Sequence, residues 1–379
     1  MAEGSKRTHQ SNGARRDSAR PTAVVYCEGN FGDLDGKTAN GLVRHSERFE
    51  IVSVIDSRFA GRDAGELLGD GHNGIAVVAD LADAVARNGA TPDVMVFGIA
   101  PASGMLSDEE RTVLLGAMEQ GMGIVNGLHD FLNDDIEFAA ASAAYGVSIE
   151  DVRRPPAKRD LRMFRNLIDD VACVRLAVLG TDGAIGKRTT ATILTKALND
   201  NGIPTVLIST GQTGLIQGGR YGVALDAIPS QFCSGEVEAA VVEAYEAEHP
   251  AVIVVEGQGA LSHPAYLSST FILRGSRPDG VILQHAPRRA FLSDFPTVPM
   301  PDAASEIRLI ESFADTKVVG LTINHENMTD DEVAAAIESY GAQLGIPVTD
   351  ALIQHPEHLV KMVLAAFPDL RRTRLSLVP

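Results

Sequence analysis

A glycine-rich segment that contains one lysine is the strongest chemical signal in the sequence. It reads LGTDGAIGKRTT over residues 179–190 and lies between an apolar run and a segment of helical composition. A glycine-rich turn in such a place directs successive backbone N–H groups at an anion, and the start of the helix adds partial positive charge. Lys187 adds a full charge on a mobile side chain. The segment therefore predicts a phosphate-binding loop.

The segment departs from the common P-loop pattern in two respects. Five residues instead of four separate Gly180 from Gly186, and Arg188 stands where a hydroxyl residue usually binds Mg²⁺. Thr189 or Thr190 is available to supply that hydroxyl. The residues expected at the phosphates are Gly180, Thr181, Asp182, Gly183, Gly186, Lys187, Arg188, Thr189 and Thr190.

A carboxylate ends a second apolar run, and a histidine follows it on a loop. The run VIVVE ends at Glu256, and His263 lies seven residues further on. Ligands of open α/β sheets bind beyond the carboxyl ends of the strands, so Glu256 is expected to face the ligand of the phosphate loop. It is a candidate general base and a candidate Mg²⁺ ligand, and a turn-capping carboxylate is the structural alternative. His263 is a candidate acid or base, and a structural loop histidine fits equally well.

Polar residues follow three more expected strands. The segment STGQTG at residues 209–214 offers amide and hydroxyl groups to a polar ligand, and QHAPRR at residues 284–289 offers two guanidinium groups. Guanidinium groups suit carboxylates and phosphates. Asn324 follows the apolar run 321–323, where a contact with a purine base and a turn-forming asparagine are both consistent with the pattern. Asn324 is therefore a further candidate for cofactor binding.

The elements that must position these residues form two units. Apolar runs alternate with helical segments of about ten residues, which indicates parallel sheets and the α/β fold class. We expect two open parallel-sheet domains, a Rossmann-like one over residues 22–150 and a P-loop NTPase-like one over residues 161–379. A proline- and charge-rich linker is expected over residues 151–160, and the helix Leu161–Ile168 after it.

The first unit carries its own glycine-bearing loop. Gly29, Gly32 and Gly36 are separated by two and three residues, so the dinucleotide pattern G-x-G-x-x-G is missing. Asp56 follows the next expected strand, where it either contacts a ribose or caps the strand. The spacing favours a parallel sheet that binds no NAD.

Composition excludes several classes of protein. The 379 residues include 33 basic and 50 acidic side chains, a net charge of −17 that disfavours duplex nucleic acid as a partner. No apolar run approaches the length of about 18 residues that indicates a membrane helix. Cys27, Cys173 and Cys233 are too far apart for a zinc ribbon, and their odd number favours a reducing cytoplasm. Residues 1–21 lack an apolar core segment, so we expect a disordered extension.

Together these motifs resemble the DgcN-type D-glutamate N-acetyltransferase family. GTDGAIGKRTT, STGQTG, VEGQGALSHP and QHAPRR carry the resemblance in the second unit, and GKTANGLVRHSERFEIVSVIDSRFAGRDAGE carries it in the first. The family implies transfer of an acetyl group from acetyl-CoA to the amine of D-glutamate. The acidic, lysine-poor composition agrees with the halophilic archaeal branch of the family, and a homo-oligomer is expected.

The resemblance implies roles for the motif residues. The phosphate loop would hold coenzyme A, and Arg188 at the metal position argues against Mg-ATP. Glu256 or His263 would take a proton from the amine. The residues implied to bind the acceptor or polarise the thioester are Gln212, Thr213, Arg220, Gln258, His285 and Arg288.

Two other functions stay open at this point. An ATP- and Mg²⁺-dependent enzyme of the dethiobiotin synthetase or kinase type would place Lys187 at the γ-phosphate and Glu256 at the metal. A metabolite sensor without catalysis is the other class. Calorimetry with acetyl-CoA and with ATP, in the presence and absence of Mg²⁺, separates the two enzymes.

Overall fold

The computed structural model describes residues 20–101 and 104–371, and its first domain is built on a six-stranded sheet. The strands are β1 (Thr22–Tyr26), β2 (Glu50–Ile55), β3 (Ala76–Val78), β4 (Val94–Phe97), β5 (Gly123–Asn126) and β6 (Ile149–Asp151). The helices are α1 (Lys37–Arg44), α2 (Ala64–Leu67), α3 (Leu81–Asn88), α4 (Asp108–Glu119) and α5 (Ile136–Tyr145). All neighbours pair in parallel, in the order β3-β2-β1-β4-β5-β6. This is the strand order of Rossmann-type sheets, so the predicted Rossmann-like domain is confirmed.

The two predicted segments at the ends of this domain are only partly described. The disordered extension predicted over residues 1–21 lies outside the described residues apart from its last two positions. The linker predicted over residues 151–160 begins inside the sheet, because Asp151 is the last residue of β6 and is buried. Its carboxylate accepts hydrogen bonds from Asn126 Nδ2 and from the Leu132 backbone N–H. These contacts keep Asp151 within the first domain.

Asp56 follows β2 and binds the glycine-bearing loop of the first domain. Its buried carboxylate accepts a hydrogen bond from the Phe31 backbone N–H at 2.9 Å and pairs with Arg58 at 2.9 Å. Burial opposes ionisation, but the hydrogen bonds from Arg58 and Phe31 hold the pKa of Asp56 below its usual range. Of the two roles that the sequence left open, the structure shows the capping role.

The second domain is built on a seven-stranded sheet with an added hairpin. The sheet strands are β7 (Val174–Gly180), β8 (Thr205–Ser209), β9 (Tyr221–Gly222), β10 (Val252–Glu256), β11 (Gly280–His285), β14 (Val318–Ile323) and β15 (Val348–Asp350), and β12 (Phe291–Leu292) with β13 (Phe295–Pro299) forms the hairpin. The helices are α6 (Lys187–Asp200), α7 (Gln212–Gln217), α8 (Ser230–Glu248), α9 (Ser268–Ser276), α10 (Ala303–Phe313), α11 (Asp330–Leu344) and α12 (Glu357–Ala366). Parallel pairing in the order β15-β14-β11-β7-β10-β8-β9 confirms the predicted α/β class.

Helices cover both faces of this second sheet, so its inner strand β10 is buried on both sides. Ile253 and Val255 enter the core beneath α8 and α9, whereas Val252 and Val254 enter the core beneath α6 and α12. Successive side chains of a strand point to opposite faces, so a strand buried on both sides must be apolar throughout. The run VIVV satisfies that requirement, and it ends in Glu256 at the edge of the sheet.

The helix predicted over Leu161–Ile168 is wrong. Short 3-10 helices span Lys158–Asp160 and Leu167–Asp170, and the residues between them are irregular. The Arg162 backbone N–H donates to Glu236 and that of Arg165 donates to Glu238, both buried acids on α8. These carboxylates take N–H groups that a helix would use internally, which explains the irregular segment.

Helix α7 joins the two domains. Its Ile216 is buried in the core of the first domain, and Gln217 Nε2 donates to the carbonyl oxygens of Gly41 at 2.7 Å and His45 at 2.9 Å. The Thr38 and Thr213 hydroxyls lie 3.0 Å apart across the same contact. The start of α1 is therefore held against the start of α7. Among the described residues, no helix has the length and apolar composition needed to cross a membrane.

Candidate functional site

The carboxyl ends of four adjacent strands meet at one edge of the second sheet. The strands lie in the order β11-β7-β10-β8, and the phosphate loop predicted from the sequence connects β7 to α6. Glu256 ends β10 next to it, and the loop with His263 continues from β10. The phosphate loop, Glu256 and the His263 loop therefore lie together at this edge. Ligands of open α/β sheets bind there, beyond the carboxyl ends of the strands.

The loop between β7 and α6 is an anion cradle. The backbone N–H groups of residues 184–189 have no acceptor among the described residues. Ala184 and Gly186 adopt the left-handed conformation, with φ of 44° and 96°, which turns these N–H groups toward one side. The Lys187 ammonium donates to the Asp182 carbonyl oxygen inside the loop, and burial lowers the Lys187 pKa to about 8. A bound phosphate would supply the acceptors and the negative charge that this cradle lacks.

Arg289, the second arginine of the QHAPRR segment, holds the loop from outside. Its guanidinium pairs with the buried carboxylate of Asp182 at 2.8 Å and with Glu326 at 2.7 Å. Asp182 also accepts a hydrogen bond from the Ser293 backbone N–H in the hairpin. Arg288, the arginine implied by the resemblance, lies on the surface and pairs with Glu332. The inner arginine supports the loop and the outer one does not reach it.

His285 and Asn324 are part of the framework of the site. His285 Nδ1 lies 3.0 Å from the Thr181 hydroxyl, and its Nε2 lies 3.1 Å from the Tyr340 hydroxyl. Burial lowers the His285 pKa to about 4, so the ring is neutral at neutral pH. Asn324 Nδ2 donates to the Ile185 carbonyl oxygen at 3.1 Å. Both side chains fix the shape of the phosphate loop, and their ligand-binding roles stay predictions.

Neighbouring small residues set the spacing of the loop. A Cβ on Gly180 would lie 2.8 Å from Ile185 Cδ1 and 2.9 Å from Lys187 Cδ, so a side chain there would force the Ile185 and Lys187 side chains to shift. The Thr190 hydroxyl donates to Gln284 Oε1 at 2.7 Å. The Thr189 hydroxyl has no hydrogen-bond partner among the described residues and is half-buried. Of the two threonines, Thr189 is therefore the one that is available to a ligand.

An arginine and a glutamate occupy the place where P-loop enzymes bind Mg²⁺. Arg188 Nη1 lies 3.5 Å from Glu256 Oε2 and 3.1 Å from the Ser209 hydroxyl. A Cβ on Gly214 would lie 2.8 Å from Glu256 Oε2 and 2.9 Å from Arg188 Cζ, so a side chain there would displace the Glu256 and Arg188 side chains. A guanidinium that pairs with the acidic residue competes with a cation for it. Among the described residues, no group of three or more His, Cys, Asp and Glu side chains is arranged to hold a metal.

The Glu256 carboxylate is buried, and its neighbours act on its pKa in opposite directions. It is 5% exposed, and its Oε2 accepts a hydrogen bond from the Thr210 backbone N–H at 3.2 Å. Burial raises the Glu256 pKa, while Arg188, Thr210 and Lys187 act in the opposite direction. A carboxylate with a raised pKa is a stronger base, so it accepts a proton from an ammonium group more readily.

The structure fixes the tautomer of His263. Its Nδ1 accepts hydrogen bonds from the backbone N–H groups of Ala265 at 3.2 Å and Tyr266 at 3.1 Å. A neutral imidazole that accepts at Nδ1 carries its proton on Nε2. That Nε2 is buried without a partner among the described residues, in a side chain 4% exposed. Burial lowers the His263 pKa, although Asp182 and Asp294 oppose the effect. The ring therefore presents one unused N–H donor.

Two contacts that sequence reasoning missed hold the His263 loop. The buried Glu306 Oε1 accepts hydrogen bonds from the backbone N–H groups of Leu261 at 2.7 Å and Ser262 at 3.2 Å. Tyr266 stacks on the His263 ring with 4.4 Å between ring centroids, and its hydroxyl donates to Asp294 at 2.6 Å. No motif signals Glu306, because it reaches the loop from α10, more than forty residues further along the chain.

The remaining predicted residues divide between the site and the surface. Gln258 Nε2 donates to the Thr210 carbonyl oxygen at 2.8 Å beside Glu256. Gln212 is buried at the start of α7, next to Thr213 and its contact with the first domain. Arg220 lies before the edge strand β9, is largely exposed and pairs with Glu248. The structure thus brings the two glutamines to the strand ends and leaves Arg220 outside.

Two family models match the chain. A Rossmann-like domain of unknown function, DUF1611_N, matches residues 57–155, and a P-loop domain of unknown function, DUF1611_C, matches residues 162–360. The second match alone spans more than half of the chain. The two descriptions agree with the sheets of the two domains.

Curated relatives are similar over most of their length. A protein of Tritonibacter scottomollicae named D-glutamate N-acetyltransferase is 31% identical over 265 residues, which are 68% of this chain and 76% of that protein. A protein of the same name from a Pseudoalteromonas species is 31% identical over 268 residues, 68% of this chain and 77% of that protein.

A solved structure extends the similarity to the whole fold. The crystal structure of a DUF1611 family protein from Anabaena variabilis, at 2.30 Å resolution, superposes with a TM-score of 0.84 at 31% sequence identity. The match covers 91% of this chain and all of that one. Since the P-loop model, the two curated relatives and this complete fold all agree, the chain belongs to the DUF1611 family.

Proposed function

We propose that the protein transfers an acetyl group from acetyl-CoA to the amine of D-glutamate. The names of the two curated relatives support the reaction. The observation that carries the proposal is the pairing of Arg188 with Glu256 beside an otherwise complete phosphate cradle. This arrangement binds phosphate while its acidic residue faces a guanidinium in place of Mg²⁺, which suits a phosphate-bearing carrier that is not hydrolysed.

The cradle fits the pyrophosphate of coenzyme A. Its N–H groups over residues 184–189 would donate hydrogen bonds to phosphate oxygens, and Lys187 would turn from the Asp182 carbonyl to the bound anion. An anion beside a buried ammonium raises its pKa, so binding restores the charge that burial weakens. The bound carrier supplies an activated acetyl thioester at the strand ends.

Glu256 and His263 have complementary tasks in the transfer. The Glu256 carboxylate takes a proton from the acceptor's ammonium group, and the freed amine nitrogen attacks the thioester carbonyl carbon. The His263 Nε2–H donates to the carbonyl oxygen as that oxygen gains negative charge. The attack forms the C–N bond. The C–S bond then breaks, the electron pair of the C–S bond leaves with the thiolate of coenzyme A, and the nitrogen loses its remaining extra proton to solvent.

A thiol-release assay tests this function. We expect the protein to release the coenzyme A thiol from acetyl-CoA when D-glutamate is added, and to do so equally well in EDTA, because Arg188 fills the metal position. Mass spectrometry should identify N-acetyl-D-glutamate as the product. A panel with L-glutamate and other D-amino acids measures selectivity.

Two outcomes would contradict the acetyltransferase function. Absence of thiol release with every amino acid, together with ATP consumption that EDTA abolishes and Mg²⁺ restores, would replace the acetyltransferase by the ATP-dependent alternative. Ligand binding without any turnover would indicate a sensor.

A further inference from the structure

The side chain of Gln217 connects the first domain to the phosphate-loop helix. Gln217 is the last residue of α7 and is buried. Its Nε2 donates to the carbonyl oxygens of Gly41 and His45 in the first domain, and its Oε1 accepts a hydrogen bond from Arg188 Nε at 2.9 Å. A reversed amide would set its NH2 group against the Arg188 N–H and its oxygen against two carbonyl oxygens. These partners therefore fix the orientation of the amide.

The main chain of Gln217 is held by the same part of the first domain. Its carbonyl oxygen accepts hydrogen bonds from the backbone N–H groups of Glu47 at 2.8 Å and Arg48 at 3.3 Å. A Cβ on the following residue, Gly218, would lie 3.1 Å from Glu47 Cβ and 3.2 Å from the Arg48 nitrogen. Residues 41–48 of the first domain thus fix both the main chain and the side chain of Gln217.

Arg188 makes its shortest hydrogen bond to Gln217. The bond from Nε measures 2.9 Å, whereas Nη1 lies 3.1 Å from the Ser209 hydroxyl and 3.5 Å from Glu256 Oε2. Charge-assisted bonds between a guanidinium and a carboxylate usually measure about 2.7–2.9 Å, so Arg188 and Glu256 are further apart than a closed ion pair. A neutral amide therefore restrains the guanidinium before it reaches the carboxylate.

We propose that Gln217 is a positioning residue of the reaction, which holds the Arg188 guanidinium at a distance from Glu256 and so leaves the carboxylate able to act as a base. This inference rests on the proposed function, in which Glu256 takes a proton from the acceptor's ammonium group. Gln217 acts through Arg188. Because the amide is anchored on Gly41 and His45, the first domain takes part in setting the strength of the base.

The groups around Glu256 make Arg188 the one through which this restraint acts. The charged groups that act on the Glu256 pKa are Arg188 and Lys187, both in the first turn of α6, and the Thr210 N–H donates to Oε2 from the turn after β8. Helix α7 adds the uncharged Gly214. Arg188, Thr210 and Lys187 all lower the Glu256 pKa against the effect of burial. Of the two charged groups, the amide of α7 holds Arg188.

The test replaces Gln217 by methionine, which keeps the length of the side chain and removes the amide. The Arg188 Nε–H then loses its acceptor, and the guanidinium should close on Glu256, the carboxylate within its reach. A closer cation lowers the pKa of Glu256 and makes it a weaker base. We expect kcat to fall by roughly 10-fold, the order of one hydrogen bond to a charged group, and the acid limb of kcat/KM to move to lower pH. The calorimetric Kd for acetyl-CoA should stay near the wild-type value.

Two further variants separate this effect from the packing of the domains. Thr38→Val removes another contact between α1 and α7, the 3.0 Å approach of the Thr38 and Thr213 hydroxyls, and should keep the wild-type pH profile. Gln217→Glu keeps an acceptor for Arg188 Nε, so its acid limb should not move to lower pH.

Three results would overturn the proposal. An acid limb at the wild-type pH in Gln217→Met would mean that the amide does not set the distance between Arg188 and Glu256. A shift to higher pH would mean that the released guanidinium leaves Glu256, the opposite of a restraint. A shift to lower pH in Thr38→Val as well would assign the effect to the packing of the two domains.

Failure of the proposed function is a separate result. If the wild type acetylates no amino acid, the restraint is measured in the free protein by carbon-13 NMR titration of the glutamate carboxylates, with the Glu256 signal identified by its absence in Glu256→Gln. A lower Glu256 pKa in Gln217→Met than in the wild type then supports the restraint, and an equal or higher pKa overturns it.

Discussion

Replacing Glu256 by glutamine is expected to lower turnover by roughly 10² to 10⁴, with little change in the affinity for acetyl-CoA. The amide keeps the shape of the side chain and its contact with the Thr210 N–H, but it cannot accept a proton from an ammonium group. Glu248→Gln is the matched control, because Glu248 pairs with Arg220 away from the strand ends. Steady-state kcat and the calorimetric Kd for acetyl-CoA separate the two effects.

The pH profile gives the same prediction a second readout. Burial raises the Glu256 pKa above its usual range, and only the ionised carboxylate is a base. As the pH falls through that raised pKa, the carboxylate becomes protonated and kcat/KM for the wild type should fall. Glu256→Gln should lack this acid limb. Near-wild-type turnover in the variant, or an acid limb that persists in its residual activity, would return Glu256 to the role of a turn cap.

Replacing His263 by phenylalanine is expected to lower kcat by roughly 10² to 10³, the usual effect of removing one donor to a developing oxyanion. Phenylalanine keeps the stacking on Tyr266 and removes the Nε2–H, together with the Nδ1 acceptor of the Ala265 and Tyr266 backbone N–H groups. The wild-type acid limb should remain, because it belongs to Glu256. His263→Gln, which retains an N–H donor, should be more active than His263→Phe.

The tautomer of His263 can be measured without any turnover. Nitrogen-15 NMR of the free protein should show a neutral ring protonated at Nε2. A ring protonated at Nδ1, together with loss of the acid limb in His263→Phe, would make the histidine the base and would contradict the assignment to Glu256. Tyr266→Phe, which loses the bond to Asp294 but keeps the stacking, controls for movement of the loop.

The sequence predicted where the site lies better than it predicted the contacts between the residues of the site. Strand ends and a glycine-rich turn are local patterns, so the phosphate loop and Glu256 were predictable from alternation and spacing. The missing hydroxyl at Arg188 was also visible. The pairing of the Arg188 guanidinium with Glu256 was not predictable, since the two residues follow different strands and meet only in the folded sheet.

Neighbouring arginines illustrate the limit of motif reasoning. Arg288 and Arg289 are adjacent in the sequence and chemically identical, yet one pairs with Glu332 on the surface and the other with Asp182 inside the loop. Sequence spacing carries no signal for that choice.

Three expectations stay predictions. The halophilic origin rests on charge and the cytoplasmic location on cysteine usage, which describe the surface and its surroundings more than the site. The homo-oligomer is a prediction as well.

The most direct test of the account is a calorimetric titration of acetyl-CoA in EDTA, with the wild type and Lys187→Ala. We expect the wild type to bind without metal, the variant to bind about 10- to 100-fold more weakly through loss of charge-assisted bonds, and ATP with Mg²⁺ to compete poorly. Equal acetyl-CoA affinity in the two proteins, or ATP binding that is tighter and requires Mg²⁺, would contradict the claim that this loop is a metal-free anchor for coenzyme A.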